Sequence, residues 1–93
     1  MDILAGKSQA IGSAVAHLRE RFGGRAFDLV DWWPGDADQI GIARRGSEEP
    51  VVCFLTAGKA EGRYDVEYGG TVYRDCLIQG LDWAVGEALG LRP

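Results

Sequence analysis

Apolar residues recur at steps of three and four near the start of the chain, which predicts an amphipathic helix. Ser8 is the expected N-cap, and Gly23 follows the last apolar residue as the expected end. A start at Asp2 is the alternative, but it places Lys7 near the apolar stripe, so Ser8 is preferred. The stripe consists of Ala10, Ile11, Ala14, Val15, Leu18 and Phe22.

The middle of the chain shows the short apolar and alternating runs that are typical of strands. The turn former Pro34-Gly35 ends the first run, and Gly69-Gly70 permits a tight hairpin between the last two. In residues 64–68 apolar and charged side chains alternate, which predicts one face in contact with water. The predicted strands are residues 26–33, 39–44, 51–57, 64–68 and a shorter 71–73.

A second amphipathic helix is expected at the end of the chain, with Asp75 as its cap and a Schellman ending at Gly90. Trp83 falls on the side opposite the apolar stripe, together with Gln79, Gly86 and Gly90. Glycine inside a helix costs about 1 kcal/mol relative to alanine, so Gly80 and Gly86 suggest close approach by another element. The alternative is that Trp83 packs on a neighbouring loop or the first helix and the glycines are incidental.

The order helix, antiparallel strands, helix predicts an α+β fold. We expect a four- to five-strand antiparallel sheet with both amphipathic helices packed on one face. The 93 residues fit a single compact domain, residues 1–93.

The formal net charge of −4 and a pI near 4.8 disfavour nucleic acid and anionic membrane as partners, because binding phosphate groups needs a basic surface. Cys53 and Cys76 lack the C-x-x-C spacing, and the first residues lack the features of a signal peptide. Within the run of residues 51–55, a small buried thiol is the simplest interpretation of Cys53. A reduced, cytoplasmic protein is therefore expected, and a single bridge between the two cysteines is the alternative.

An acidic segment with two adjacent tryptophans holds the strongest functional signal. No lysine or arginine occurs between Arg25 and Arg44. Neighbouring residues on a strand point to opposite faces, so one indole is expected in the core and the other at the surface. The candidate binding residues are these acids and tryptophans together with the tryptophan of the second helix: Asp28, Asp31, Trp32, Trp33, Asp36, Asp38 and Trp83.

Catalytic and metal-binding motifs are not supported. Gly6-Lys7-Ser8 lacks the first glycine and the preceding strand of a phosphate-binding loop, and Asp36-Ala37-Asp38 lacks the glycine and glutamate of a calcium loop. His17 is the only histidine, so a zinc site lacks ligands. We therefore predict no catalytic residue, no metal and no cofactor.

The preferred hypothesis is a non-enzymatic binding protein whose acidic and aromatic side chains dock a partner with a basic surface. Small acidic proteins that neutralise basic toxins, such as bacterial immunity proteins, offer an architectural analogy, although no motif ties this chain to them. The second hypothesis is a homo-oligomer formed through a sheet edge or through the Trp83–glycine face. The third is an enzyme or small-ligand pocket between helices and sheet, lined by Tyr64, Tyr68 and Tyr73.

Overall fold

The computed structural model describes residues 3–91 and has two helices and a five-stranded antiparallel sheet. The strands lie side by side in chain order, from β1 at one edge to β5 at the other. This architecture confirms the predicted α+β fold. The elements are α1 Gln9–Phe22, β1 Asp28–Val30, β2 Gln39–Ala43, β3 Pro50–Leu55, β4 Tyr64–Tyr68, β5 Thr71–Cys76 and α2 Ile78–Leu89.

Helix α1 begins and ends as its sequence predicts. The Ser8 hydroxyl accepts a hydrogen bond from the amide of Ile11, which satisfies one of the donors left free at a helix N-terminus. Gly23 ends the helix, and its amide donates to the carbonyl of Arg19. The alternative cap, Asp2, lies outside the described residues.

One face of the sheet packs against both helices and forms the core. Strand register aligns Ile40 with Phe54 and Phe54 with Val66, so side chains from three adjacent strands lie in one row. These side chains and the apolar stripes of the helices belong to a single buried cluster. The opposite face, here called the outer face, carries Gln39, Cys53, Leu55, Glu67 and Val72.

Strand β1 is shorter than expected. The prediction of a strand over residues 26–33 is wrong in extent, because pairing with β2 ends at Val30. The next residue, Asp31, forms an ion pair with Lys7 near the start of α1. Trp32 and Trp33 therefore lie in the loop before β2, where strand alternation no longer fixes the direction of their side chains.

Strand β5 is longer than expected, and Asp75 is not the cap of α2. Asp75 lies within β5 with a left-handed φ of 56°, and its amide donates to the carboxylate of Asp65 across a bulge between β4 and β5. Leu77 occupies the N-cap position without a side-chain cap bond. At the other end of α2, the amides of Gly90 and Leu91 donate to Glu87 and Gly86, which confirms the predicted Schellman ending.

Candidate functional site

The candidate binding residues separate into two surfaces. The acids and tryptophans of residues 28–38 lie on β1 and in the loop that follows it, at one edge of the sheet. Trp83 lies on α2 and contacts Tyr68 and Tyr73, which belong to the last two strands at the other edge. Trp83 and the acidic segment therefore do not form one continuous site.

Residues 31–38, here called the acidic loop, are fixed to the residues that precede α1. The Lys7 ammonium lies 2.7 Å from an Asp31 carboxylate oxygen and donates to the carbonyl of Asp36 at 2.6 Å. The amide of Ser8 donates to the carbonyl of Ala37 at 2.7 Å. Three bonds from two adjacent residues thus hold both ends of the loop.

Asp36 organises the turn inside the acidic loop. Its carboxylate accepts hydrogen bonds from the Asp38 amide at 2.9 Å and from the Gln39 side-chain amide at 2.7 Å. These two bonds, the first being the larger cause, lower the pKa of Asp36. The amide of Asp36 in turn donates to the carbonyl of Trp33. An ionised Asp36 therefore stabilises the conformation of its own loop.

The four acids of the segment differ in what remains available to a partner. The Asp28 carboxylate accepts a hydrogen bond from the Gly46 amide and lies 3.6 Å from the Arg45 guanidinium, so it stabilises the turn between β2 and β3. Asp31 is paired with Lys7. Within residues 3–91 no cation lies within ion-pair distance of Asp36 or Asp38, and the Asp38 carboxylate also accepts no hydrogen bond. The acidic loop contains three aspartates, Asp31, Asp36 and Asp38. Lys7 compensates the charge of one of them, so the local net charge is −2.

Neither indole of the tryptophan pair enters the core, contrary to the expectation that one would. Trp32 is 54% exposed. Trp33 is half-buried and lines a shallow cavity of about 110 Å³ on the outer face with Gln39, Cys53 and Leu55. The expectation assumed that the strand continues through both residues, and the end of β1 at Val30 removes that constraint.

Trp83 is held at the surface by aromatic neighbours. Its ring meets Tyr68 and Tyr73 edge to face, at centroid distances of 5.7 and 5.6 Å, and it remains 49% exposed. It also borders a cavity of about 350 Å³ with Phe22 and Gly86. The indole thus packs on the β4–β5 hairpin rather than on the loop or first helix that the sequence suggested.

Both interior glycines of α2 are approached closely by other groups. A Cβ at Gly86 would lie 3.1 Å from the Leu91 carbonyl oxygen and 3.6 Å from the Phe22 ring. A Cβ at Gly80 would lie 3.0 Å from the Cβ of Cys76. Gly80 therefore lies tightly against the end of β5, whereas the closest group to Gly86 belongs to the ending of its own helix.

Polar side chains from both helices meet at the interface between α1 and α2. His17 lies 2.7 Å from an Asp82 carboxylate oxygen, and the other oxygen lies 3.6 Å from Arg21. Asp82 was not among the predicted site residues. It follows Leu81, which is buried on the apolar stripe of α2, and this position is near the interface between the helices. This contact gives His17 a structural role between the helices.

Asp65 is a buried charged residue that was predicted on the face of β4 in contact with water. It is 7% exposed and lies 2.8 Å from the Lys59 ammonium and 3.5 Å from the Arg74 guanidinium. Hydrogen bonds from Lys59 and from the Asp75 amide are the main causes that lower the pKa of Asp65. The β-strand alternation correctly places it on the outer face, but the side chains around it exclude water.

The cysteines and tyrosines do not form a shared reactive site. Cys53 lies half-buried on the outer face and Cys76 packs against the core, and both are free thiols. Burial, followed by the nearby charge of Glu67, raises the pKa of Cys53 to about 11. Tyr64 packs on Phe54 in the core, whereas the other two tyrosines contact Trp83, so the three do not line one pocket.

Residues 3–91 contain no group of three histidine, cysteine or acidic side chains that could hold a metal ion. No helix in this part of the chain is long and apolar enough to cross a membrane. No protein-family model, no curated protein and no solved structure matches the chain.

Proposed function

We propose that this protein is a non-enzymatic protein-binding module whose acidic loop docks a partner with a basic surface. The observation that carries the proposal is the 54% exposure of Trp32 on a loop that Lys7 and Ser8 fix in place. Tryptophans are enriched among the residues that dominate binding energy at protein interfaces. An exposed indole on a fixed loop also loses little conformational freedom when it binds.

Electrostatics favour a basic partner. Asp36 and Asp38 lie on the same loop as Trp32, with no cation at ion-pair distance within residues 3–91, and the lowered pKa of Asp36 keeps its carboxylate ionised further into the acid range. Complementary charge steers encounter and excludes acidic competitors more than it adds affinity. We therefore assign the main binding energy to Trp32 and the choice of partner to the carboxylates.

The test compares wild-type protein with a Trp32→Ala variant as matched baits for capturing proteins from cells. A captured protein is then purified and titrated by calorimetry. We expect a basic protein whose Kd rises at least about tenfold for Trp32→Ala, since losing an interface tryptophan typically costs 2 kcal/mol or more. The Kd should also rise with salt concentration, because mobile ions screen the contacts of the carboxylates.

Two variants serve as controls. Trp83→Ala changes the other surface and should leave the Kd unchanged. Asp38→Asn removes a charge without removing a hydrogen bond from the described part of the chain, so it should weaken binding while the fold is retained. A partner that binds Trp32→Ala and wild-type protein equally well contradicts the proposal.

A further inference from the structure

We propose that the free edge of β5 pairs with the same edge of a second copy, forming a two-fold symmetric dimer with a continuous sheet. The β5 edge lies at the opposite side of the sheet from β1 and the dimer does not use Trp32, so the proposal goes beyond the proposed partner binding. Glu67 and Val72 do line the same outer-face cavity as Trp33.

The two edges of the sheet are unequally protected against pairing. β1 has three residues and runs into the acidic loop and Pro34, so it offers little backbone to another strand. β5 has six residues, with neither lysine nor proline among them. Natural monomers blunt their sheet edges with short strands, charged side chains, proline or bulges. The charged residues of β5, Arg74 and Asp75, lie at the bulge near its end, and residues 71–73 keep a regular register with β4.

Exposed apolar side chains are concentrated at the β5 edge. Within residues 3–91, four of the six large apolar side chains that are exposed lie on β5, immediately after it, or against it. Tyr73 and Trp83 contact each other on the helix side. A group of exposed apolar residues in one place is typical of an interaction site, whereas single exposed residues are ordinary. The four residues are Val72, Tyr73, Leu77 and Trp83.

The hairpin geometry determines which backbone groups are free. Gly69 and Gly70 both have positive φ, as in the two-residue type I′ turn, whose closing pair Tyr68 and Thr71 is hydrogen-bonded. Because hydrogen-bonded and non-hydrogen-bonded pairs alternate, the N–H and C=O of Val72 point away from β4. By the same alternation the N–H and C=O of Arg74, at the start of the bulge, point the same way, and the Arg74 carbonyl oxygen lies 4.0 Å from the Sγ of Cys76. These groups are the ones available to a second strand.

When two copies pair about a two-fold axis at Tyr73, the free backbone N–H and C=O groups of Val72 and Arg74 can all form hydrogen bonds. In that register Val72 of each copy faces Arg74 of the other, and each pair can exchange two backbone hydrogen bonds. The two Tyr73 side chains meet as a non-hydrogen-bonded pair, where side chains lie closest, with a Trp83 beside each. The same patch then serves both copies, as a two-fold interface requires.

Charge complementarity supports this register. Glu67 lies opposite Val72 on the outer face, is exposed, and has no ion-pair partner within residues 3–91. In the dimer, Arg74 of the second copy lies on the other side of Val72, two strand spacings or roughly 10 Å from Glu67 between Cα atoms. Extended side chains of these two residues span that distance. The Arg74 side chain is 76% exposed, and its 3.5 Å ion pair with Asp65 is the longer of the two that this carboxylate forms, because Lys59 lies at 2.8 Å. The guanidinium can therefore turn toward Glu67 while Lys59 remains paired with Asp65.

Sedimentation equilibrium over a wide concentration range tests the dimer with charge-swap variants. We expect wild-type protein to approach dimer mass, and Glu67→Arg or Arg74→Glu alone to raise the dissociation constant at least about tenfold. An equimolar mixture of the two variants should form heterodimers with near wild-type affinity, because one ion pair is then restored with reversed sign and the other is the wild-type pair. Glu61→Arg and Arg25→Glu make the same charge changes elsewhere and should leave association unchanged.

Amide hydrogen exchange of the wild-type protein supplies a measurement that needs no variant. The Val72 and Arg74 amides should exchange more slowly as protein concentration rises, while exposed amides outside β5 should not change. A strict monomer overturns the proposal, as does a dimer without concentration-dependent protection at these two amides. Single variants that dissociate but are not rescued by mixing overturn the register. Trp32→Ala should dimerise normally, so this result is independent of the proposed partner.

Discussion

The ammonium of Lys7 lies 2.7 Å from a carboxylate oxygen of Asp31, and the Lys7 side chain is only 4% exposed. This ion pair joins residues 24 apart in sequence and coincides with the end of β1. It also holds the acidic loop, because the same ammonium donates to the carbonyl of Asp36. The conformation in which Trp32 is exposed therefore depends on a buried lysine near the start of the chain.

Replacing either member of this pair should destabilise the protein. Lys7→Met removes a buried cation and leaves Asp31 and the Asp36 carbonyl without it, so we expect the free energy of unfolding to fall by roughly 1–3 kcal/mol. Asp31→Asn should also lower it, since Lys7 remains buried without its countercharge. Urea denaturation of both variants and the double variant gives the coupling. The double variant should lose less than the two single losses together, by at least about 0.5 kcal/mol, and strictly additive losses would contradict a direct interaction.

Asp65 should make stability depend on pH in the acid range. Its pKa is lowered in the folded protein, so its ionised form contributes stability above the ordinary pKa of an aspartate, near 3.8. That contribution is lost as the pH falls below this value and through the folded pKa. Asp65→Asn should therefore be less stable than wild type at pH 7, by roughly 1–3 kcal/mol, because Lys59 loses its partner.

The same variant provides the control for that assignment. The difference in unfolding free energy between wild type and Asp65→Asn should narrow as both are acidified, because wild-type Asp65 then becomes neutral as well. Urea denaturation at a series of pH values measures the difference. A constant difference from neutral to acid pH would show that the charge of Asp65 is not the cause.

Two glycine-to-alanine changes should have opposite effects. A Cβ at Gly12, inside α1, meets nothing within 4 Å, so Gly12→Ala should raise the free energy of unfolding by about 0.5–1 kcal/mol through helix propensity. A Cβ at Gly41, in β2, would lie 2.8 Å from the Cβ of Pro50 and 3.2 Å from the Val30 carbonyl oxygen. Gly41→Ala should lower stability by about 1–3 kcal/mol through overpacking. Thermal denaturation of the two variants beside wild type checks both signs.

Local sequence signals correctly predicted the helix ends and the hairpin turn that depend only on neighbouring residues. The cap at Ser8 and the Schellman ending at Gly90 each involve hydrogen bonds between residues only a few positions apart. The hairpin at Gly69-Gly70 needs only two residues with positive φ. These interactions are complete within a short segment, so the segment itself contains the information.

The errors all involve contacts between an element and residues outside it. The predicted strand over residues 26–33 continues too far because alternation carries no information about the Lys7–Asp31 pair. Asp65 was expected in contact with water because apolar and charged residues alternate along β4. Lys59 and Arg74, which lie outside β4, cover it. Asp75 resembles a helix cap in sequence, but its amide binds the Asp65 carboxylate and keeps it in β5.

The same distinction between local sequence signals and tertiary contacts applies to the candidate site. Sequence alone determined that the acids and tryptophans lie together in residues 28–38 and that Trp83 lies opposite the apolar stripe of its helix, because charge and periodicity are local properties. Only the tertiary structure decided which acids are already paired, that Trp32 is the exposed indole, and that Trp83 lies beside the free edge of β5. Pairing, burial and strand order join residues far apart in the chain, so the positions of all the elements together determine them.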